Sequence, residues 1–287
     1  MNGSFLERPT DRHVGLRRAL LDSGVPLPAP GLNTANVRTA DFPDRVFQHV
    51  FPPLRKLGLS VVRLDEPLSD EQFIILASHL GNPIPELAPA VQPYVTREVI
   101  LNLVSEHGHT VDPSLQPFAT SFLTLHTEGS GRPIQEQPRY IVLMCCDPGD
   151  SAVAAQTVLV PMDSVDRRLN AGQIALLAQT RYSQSENSPW LVRDFCGRRV
   201  FSFRDFYEEP LNWAFAGCVQ DAQAINDAIL SLLAAMYSAD DASGVQWVRG
   251  LLVVIDNTFF FHGRTAGRAE TSTRHRHLKR LRITFAE

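Results

Sequence analysis

Apolar and polar positions recur with two different periods along this chain, and the change of period divides it. Over residues 42–57 the apolar positions fall at helical spacing, and Pro52-Pro53 predicts a break or kink within that helix. Ser69-Asp70-Glu71-Gln72 has the form of a capping box and predicts a helix through about Leu80, closed by Gly81. Short apolar runs read instead as strands: 59–64, 99–104, 122–128, 140–146, 156–160, 200–203, 251–255, 259–261 and 281–285. Two amphipathic helices, 170–182 and 220–237, interrupt the series. Many strands with two inserted helices predict a mainly β fold with flanking helices, a double-sheet jelly roll (double-stranded β-helix). Residues 1–95 are expected as a mainly helical N-terminal part packed on a core at 96–287, the whole of 1–287 forming one domain.

Composition narrows the class without choosing a function. With 44% hydrophobic residues in 287 positions the chain can bury a large core. A formal net charge of -4 offers no global attraction for nucleic acid or an anionic membrane. The chain has neither an apolar run of about 18 residues nor a basic start followed by an apolar stretch. No membrane span and no signal peptide are therefore expected, and the cytoplasm is the default location. The 4 cysteines, of which Cys145 and Cys146 are adjacent in an apolar strand, lack both a disulfide framework and zinc spacing, and buried thiols are expected.

The candidate chemistry lies in two separated segments, His126-Thr127-Glu128 and, after Asp256-Asn257, His262-Gly263-Arg264. In an extended strand, residues i and i+2 project from one face, so His126 and Glu128 point the same way. With His262, placed on or beside a later strand, they supply two imidazoles and one carboxylate, the facial triad of non-haem Fe(II) oxygenases. A His-x-acid pair alone carries little weight, because 9 His and 31 acidic residues in this length give about one by chance. Without its companions His126 reads as a core histidine bonded to Glu128. A rival metal set, His107-Gly108-His109 with Asp112, falls in a Gly/Pro-punctuated polar stretch that reads as a loop.

The companions are cationic. Arg276 lies in Arg276-His277-Leu278-Lys279-Arg280, and Thr157 in the strand-like Gln156-Thr157-Val158-Leu159-Val160. An anionic co-substrate that chelates iron needs a partner at its far carboxylate, and the planar guanidinium fork matches one bidentately. The bland reading of these arginines, with Arg274, Lys279 and Arg282, is a solvated basic face. Strand alternation speaks against it, because Arg276, Leu278, Arg280 and Arg282 share one face and His277, Lys279, Leu281 and Ile283 the other. Arg276 and Arg280 would stand about 13 Å apart in a regular strand, room for two separate anions.

These segments resemble the Fe(II)/2-oxoglutarate-dependent oxygenases of the taurine dioxygenase and clavaminate synthase-like family, closest to the free-amino-acid hydroxylases. The resemblance runs from roughly His126 to Arg282 and rests on His-Thr-Glu, His-Gly-Arg and the Arg-x-Leu-x-Arg stretch, with His277 in place of an aromatic. It implies that His126, Glu128 and His262 bind the iron and carry catalysis. It further implies that Thr157 and Arg276 bind 2-oxoglutarate and that Arg280 holds the substrate's carboxylate. Asn102 and Glu98 are implied as contacts for a substrate amine, and Asp205, in Phe201-Ser202-Phe203-Arg204-Asp205, as a further substrate residue.

The implied cofactors are Fe(II), 2-oxoglutarate and O2. The implied reaction is hydroxylation of an unactivated C–H of a small amino acid or amino-acid-derived metabolite, with succinate and CO2 released. Glu128 speaks against halogenation, since halogenating members lack that carboxylate. Desaturation or oxidative ring closure in natural-product biosynthesis, such as cyclopropane formation, would use the same residues. A reading from another class is a jelly-roll binding protein without turnover, which the intact triad and both arginines disfavour. Residues 106–121 and 265–274 read as loops flanking the site and able to close over a substrate.

Overall fold

The structure is a computed structural model that describes residues 1–105, 115–149, 155–218, 221–238, 240–267 and 275–284. The longest apolar runs become the centre of an eight-stranded sheet. Its order is Ala35–Val37, Leu59–Leu64, Leu251–Asp256, Tyr140–Asp147, His277–Thr284, Ile100–Val104 and Val95–Thr96, with Asn82–Pro83 beside His277–Thr284. The Tyr140–Asp147 and Leu251–Asp256 strands are covered on both faces, which is why they read as continuous apolar runs rather than alternations.

On the outer face of this sheet the helices Asp44–Leu57 and Asp70–Leu80 press Val46, Val50, Phe73 and Leu76 against Val142, Val254, Leu281 and Ile283. The inner face presents Leu103, Leu143, Val253 and Leu278 to a second sheet that adds Leu159 and Val245. That sheet runs Ser243–Val245, Thr157–Pro161, Phe260–Arg264, Leu123–His126. Its far side, with Leu125, Val158, Val160 and Phe261, is covered by the helix Ala222–Tyr237 and the shorter Ala171–Leu177. The result is four layers, helix on sheet on sheet on helix, with the site between the sheets.

Three elements differ from the expectations. The helix Asp44–Leu57 runs through Pro52 and Pro53 without ending. Each proline removes one backbone donor, but the carbonyl of His49 that Pro53 leaves unpaired accepts the Ser60 hydroxyl at 3.2 Å. Val46, Val50 and Leu54, each no more than 2% exposed, hold the helix on the sheet. At about 1.5–3 kcal/mol per buried side chain they offset the roughly 3 kcal/mol cost of an interior proline. The helix expected over 170–182 stops at Leu177, and Thr180–Tyr182 pairs with Leu211–Phe215 as a strand. The N-terminal part also carries two strands that were not expected, Asn2–Phe5 and Ala35–Val37, beside the expected Leu59–Leu64.

A buried ionic clamp ties the N-terminus to the second sheet. Arg17 donates to Asp205 at 2.7 Å through Nε, and its Nη1 donates to Glu7 at 3.0 Å. Burial works to raise the Glu7 carboxyl, but His13, Arg17 and the Glu208 backbone N–H hold it at about 2 against an ordinary 4.5. A carboxyl depressed in the folded state stabilises fully above its unfolded pKa, and that contribution fades as pH falls through the folded value. Glu7→Gln is therefore expected to lower the melting temperature at pH 7, with the gap to wild type closing between pH 4.5 and about 2. A gap that stays constant over that range in thermal melts would show the clamp is not electrostatic.

Candidate active site

His126 and His262 meet because of strand register. They are direct cross-strand partners, and both face inward because their neighbours Leu125 and Phe261 are spent in the helix-covered core. Their rings lie 4.3 Å apart between centroids. Gly263 keeps the strands this close, since a Cβ there would sit 2.7 Å from the Leu123 carbonyl oxygen. Glu128 lies in the turn just after the Leu123–His126 strand, not within it. Asn257 locks that turn by accepting from the Glu128 N–H at 2.9 Å and donating to the Glu128 carbonyl at 3.0 Å. Oε2 of Glu128 then stands 3.7 Å from Nε2 of His126 and 3.8 Å from Nε2 of His262.

The protonation states suit a cation. Nδ1 of His126 donates to the Thr124 carbonyl at 2.8 Å, which turns Nε2 toward the centre. Burial first, and then the neighbouring His126, push His262 down to about 4, so its imidazole is neutral near pH 7. Burial of Glu128 would raise its carboxyl, yet Arg280, the two histidines and Arg282 hold it well below the usual range. The three ligand atoms lie within 4.8 Å of one another. Two imidazoles and one carboxylate fit a divalent iron with positions left for exchangeable ligands.

The triad opens on a cavity of about 550 Å3 with Leu103, Leu123, Ile141, Leu143 and Leu278 among its walls. Thr157, Arg264 and Arg276 face into it from the two sheets. Thr157 is the cross-strand partner of Arg264, and its hydroxyl oxygen accepts the Trp247 indole N–H at 3.2 Å. Arg264 is buried and donates to the backbone carbonyls of Gln116, Pro117 and Ser121. Burial, and then the charge of Arg276, lower its guanidinium to about 9. Two buried guanidiniums this close make one part of the cavity strongly attractive to an anion.

The structure brings His126, Glu128, His262, Thr157, Arg276 and Arg280 to this cavity and leaves three expected residues away from it. Asn102 alternates with Leu101 and Leu103 and so points outward, where it bonds the Tyr94 carbonyl and the Thr96 hydroxyl and lies 2.9 Å from Nε2 of His277. Glu98 is exposed in a tight turn at φ 64°, and its carbonyl accepts from the Glu86 N–H. Asp205 faces away from the cavity and pairs with Arg17 and the Tyr237 hydroxyl. These three are corrected from substrate contacts to structural positions. Asp205→Ala is accordingly expected to cost about 3 kcal/mol of stability by exposing a broken buried pair. Iron bound per folded protein should not change, and a loss of iron without loss of stability would contradict this placement.

Arg280 has a protein partner as well as a place at the cavity. It reaches the cavity, but its guanidinium is bound to Glu86 at 2.9 Å and lies 3.9 Å from Glu128. Arg282 spans the same two carboxylates at 2.8 and 3.3 Å. Glu86, buried in a Pro-flanked segment with no periodic signal, was not legible in the sequence. Neither was Arg204 as a cavity residue, nor Trp247 as the partner of the Thr157 hydroxyl, whereas Asn257, just past an apolar run, carried a turn signal. His107, His109, Asp112 and Arg274 lie outside the described residues.

Two imidazoles and a carboxylate at a cavity between two sheets match the class of mononuclear non-haem iron oxygenases. The chain belongs to the family described as taurine catabolism dioxygenase TauD, TfdA family, which it matches over residues 28–282. It is a dioxygenase dependent on iron and 2-oxoglutarate. Comparison with curated protein sequences finds no match. Among solved structures it is similar to an asparagine oxygenase in complex with Fe(II), 2S,3S-3-hydroxyasparagine and succinate, at 17% identity and TM-score 0.62 over 86% of this chain and 81% of that one. The non-haem iron oxygenase OrfP, with Fe, succinate and (3S)-hydroxy-L-Arg, is similar at 21% identity and TM-score 0.62 over 86% and 81%. PvcB from Pseudomonas aeruginosa is similar at 20% identity and TM-score 0.60 over 92% and 93%.

Proposed function

We propose that this dioxygenase hydroxylates an unactivated C–H of a small amino acid or amino-acid-derived metabolite, on a single jelly-roll domain spanning residues 1–287. The reading is carried by one observation, the triad of His126, Glu128 and His262 opening on the same cavity as Thr157 and Arg276. The amino-acid class is supported by the hydroxylated asparagine and arginine held by two of the similar structures.

A ferrous ion at the triad would supply dioxygen activation coupled to oxidative decarboxylation of 2-oxoglutarate to succinate and CO2. The chain's residues do the positioning. Arg276 and the Thr157 hydroxyl take the far carboxylate of 2-oxoglutarate, since Trp247 already occupies an acceptor site on that hydroxyl and leaves its proton to donate. Arg280 and Arg282, fixed by Glu86, keep Glu128 ionised and correctly turned. The leucine and isoleucine wall excludes water and limits the poses in which one C–H faces the metal.

The test is oxygen-dependent succinate release on adding Fe(II) and 2-oxoglutarate, followed by a mass-spectrometric screen of free amino acids and derivatives. A product with one added oxygen supports hydroxylation. A product lacking two hydrogens selects the second reading, desaturation or ring closure by the same residues. Iron binding without any succinate under these conditions would refute the oxygenase and leave a binding protein.

A further inference from the structure

We propose that Glu86 is a positioning residue that sets the iron affinity of the triad by holding two guanidiniums off the metal carboxylate. This role presupposes iron at the triad, as the oxygenase reading requires, and adds to that reading the charge that tunes the metal site. The last strand of the large sheet brings Glu86 there. Asn82–Pro83 pairs with Thr284 and Ile283, the Ile84 N–H donates to the Arg282 carbonyl at 2.8 Å, and Glu86 follows two residues on. Its own N–H donates to the Glu98 carbonyl at 3.0 Å and its carbonyl accepts from the Gln92 side chain, which fixes both backbone polar groups. Glu86 is 5% exposed and does not line the cavity, so it acts through its partners.

Each Glu86 oxygen takes one guanidinium, Arg280 at 2.9 Å and Arg282 at 2.8 Å. The same two arginines reach toward Oε1 of Glu128, at 3.9 and 3.3 Å, while its Oε2 faces the imidazoles. Two carboxylates thus share two guanidiniums, and the shorter contacts go to Glu86. Among the described residues neither arginine pairs with another carboxylate. Without the Glu86 charge both would close on Glu128, and a divalent cation would have to share that carboxylate with two cations, one of them uncompensated. All four side chains are mostly buried, where charges act on one another far more strongly than in water. Arg280 keeps its buried Nε without a partner among the described residues, so the substrate carboxylate expected at Arg280 still finds a donor.

The dissociation constant for Fe(II) is measured without oxygen, by competition with a chromogenic chelator, with thermal melts reporting the folded state of each variant. Glu86→Gln is expected to bind Fe(II) about tenfold or more weakly than wild type, and Glu86→Asp, which keeps the charge, should recover part of the loss. Adding Arg282→Gln to Glu86→Gln removes the uncompensated cation, so the double variant should bind Fe(II) more tightly than Glu86→Gln alone. A purely structural role for Glu86 gives the opposite order, because a second cut in a buried network adds to the damage of the first. Arg282→Gln supplies a comparison that does not need Glu86→Gln to fold by itself: adding Glu86→Gln to it should weaken Fe(II) binding again, since Arg280 then turns on Glu128. The assignment is overturned if Glu86→Gln binds Fe(II) as wild type does, if the double variant binds no more tightly than Glu86→Gln, or if it binds as tightly as Arg282→Gln. Folded wild type that takes up no Fe(II) would instead refute the iron reading itself, and the role of Glu86 with it.

Discussion

His126→Ala and His262→Ala are each expected to empty the iron site and reduce succinate release to background. The structure gives the reason in three distances. Glu128 stands 3.7 and 3.8 Å from the two Nε2 atoms and the rings are 4.3 Å apart, and among the described residues no other His, Cys, Asp or Glu joins this group to replace a lost imidazole. Loss of a mere outer hydrogen-bond partner commonly lowers metal affinity about 10–100-fold, and loss of a ligand should exceed that. Iron per protein, measured after desalting, is the direct readout, with a thermal melt to show the fold persists. His109→Ala, in the rival His-x-His stretch, should keep its iron. An iron-free His109→Ala beside a loaded His126→Ala would reverse the assignment.

Arg276→Leu is expected to weaken 2-oxoglutarate binding by about 10–100-fold, since a hydrogen bond to a charged partner is worth roughly 1.5–3 kcal/mol. Arg276 is buried, so leucine fits its volume class while removing the charge. Thr157→Val should have a smaller effect, because it removes one neutral donor and strands the Trp247 N–H that now bonds it. Anaerobic titration of 2-oxoglutarate into iron-loaded protein measures both, apart from any turnover defect. Identical titrations for wild type and Arg276→Leu would remove Arg276 from the co-substrate site. A loss in Arg264→Leu alone would move the carboxylate to the neighbouring guanidinium, which lies close enough for the two charges to repel.

The chain by itself determined the layered β architecture, the apolar central strands, the Ser69 helix cap and the three residues of the triad. The strands and the cap are written locally, since alternation sets which face a residue occupies and a cap needs four consecutive positions; the triad residues are legible by type and spacing, but register brings His262 to His126 and Asn257 turns Glu128 toward them. Where a local rule met a competing tertiary contact, the contact won, as when sheet packing carried the Asp44–Leu57 helix through two prolines and strand pairing ended a helix at Leu177.

Only the tertiary structure decided which charges are already spent. Glu86 neutralises Arg280 and Arg282 from nearly two hundred residues away, Asp205 is consumed by Arg17, and Asn102 falls on the outer face once Leu101 and Leu103 take the inner one. Arg204 stands beside His126 only through a register fixed by long-range pairing. A sequence lists ionisable groups but not their partners. Pairing depends on cross-strand register and burial, which are set by the whole fold at once.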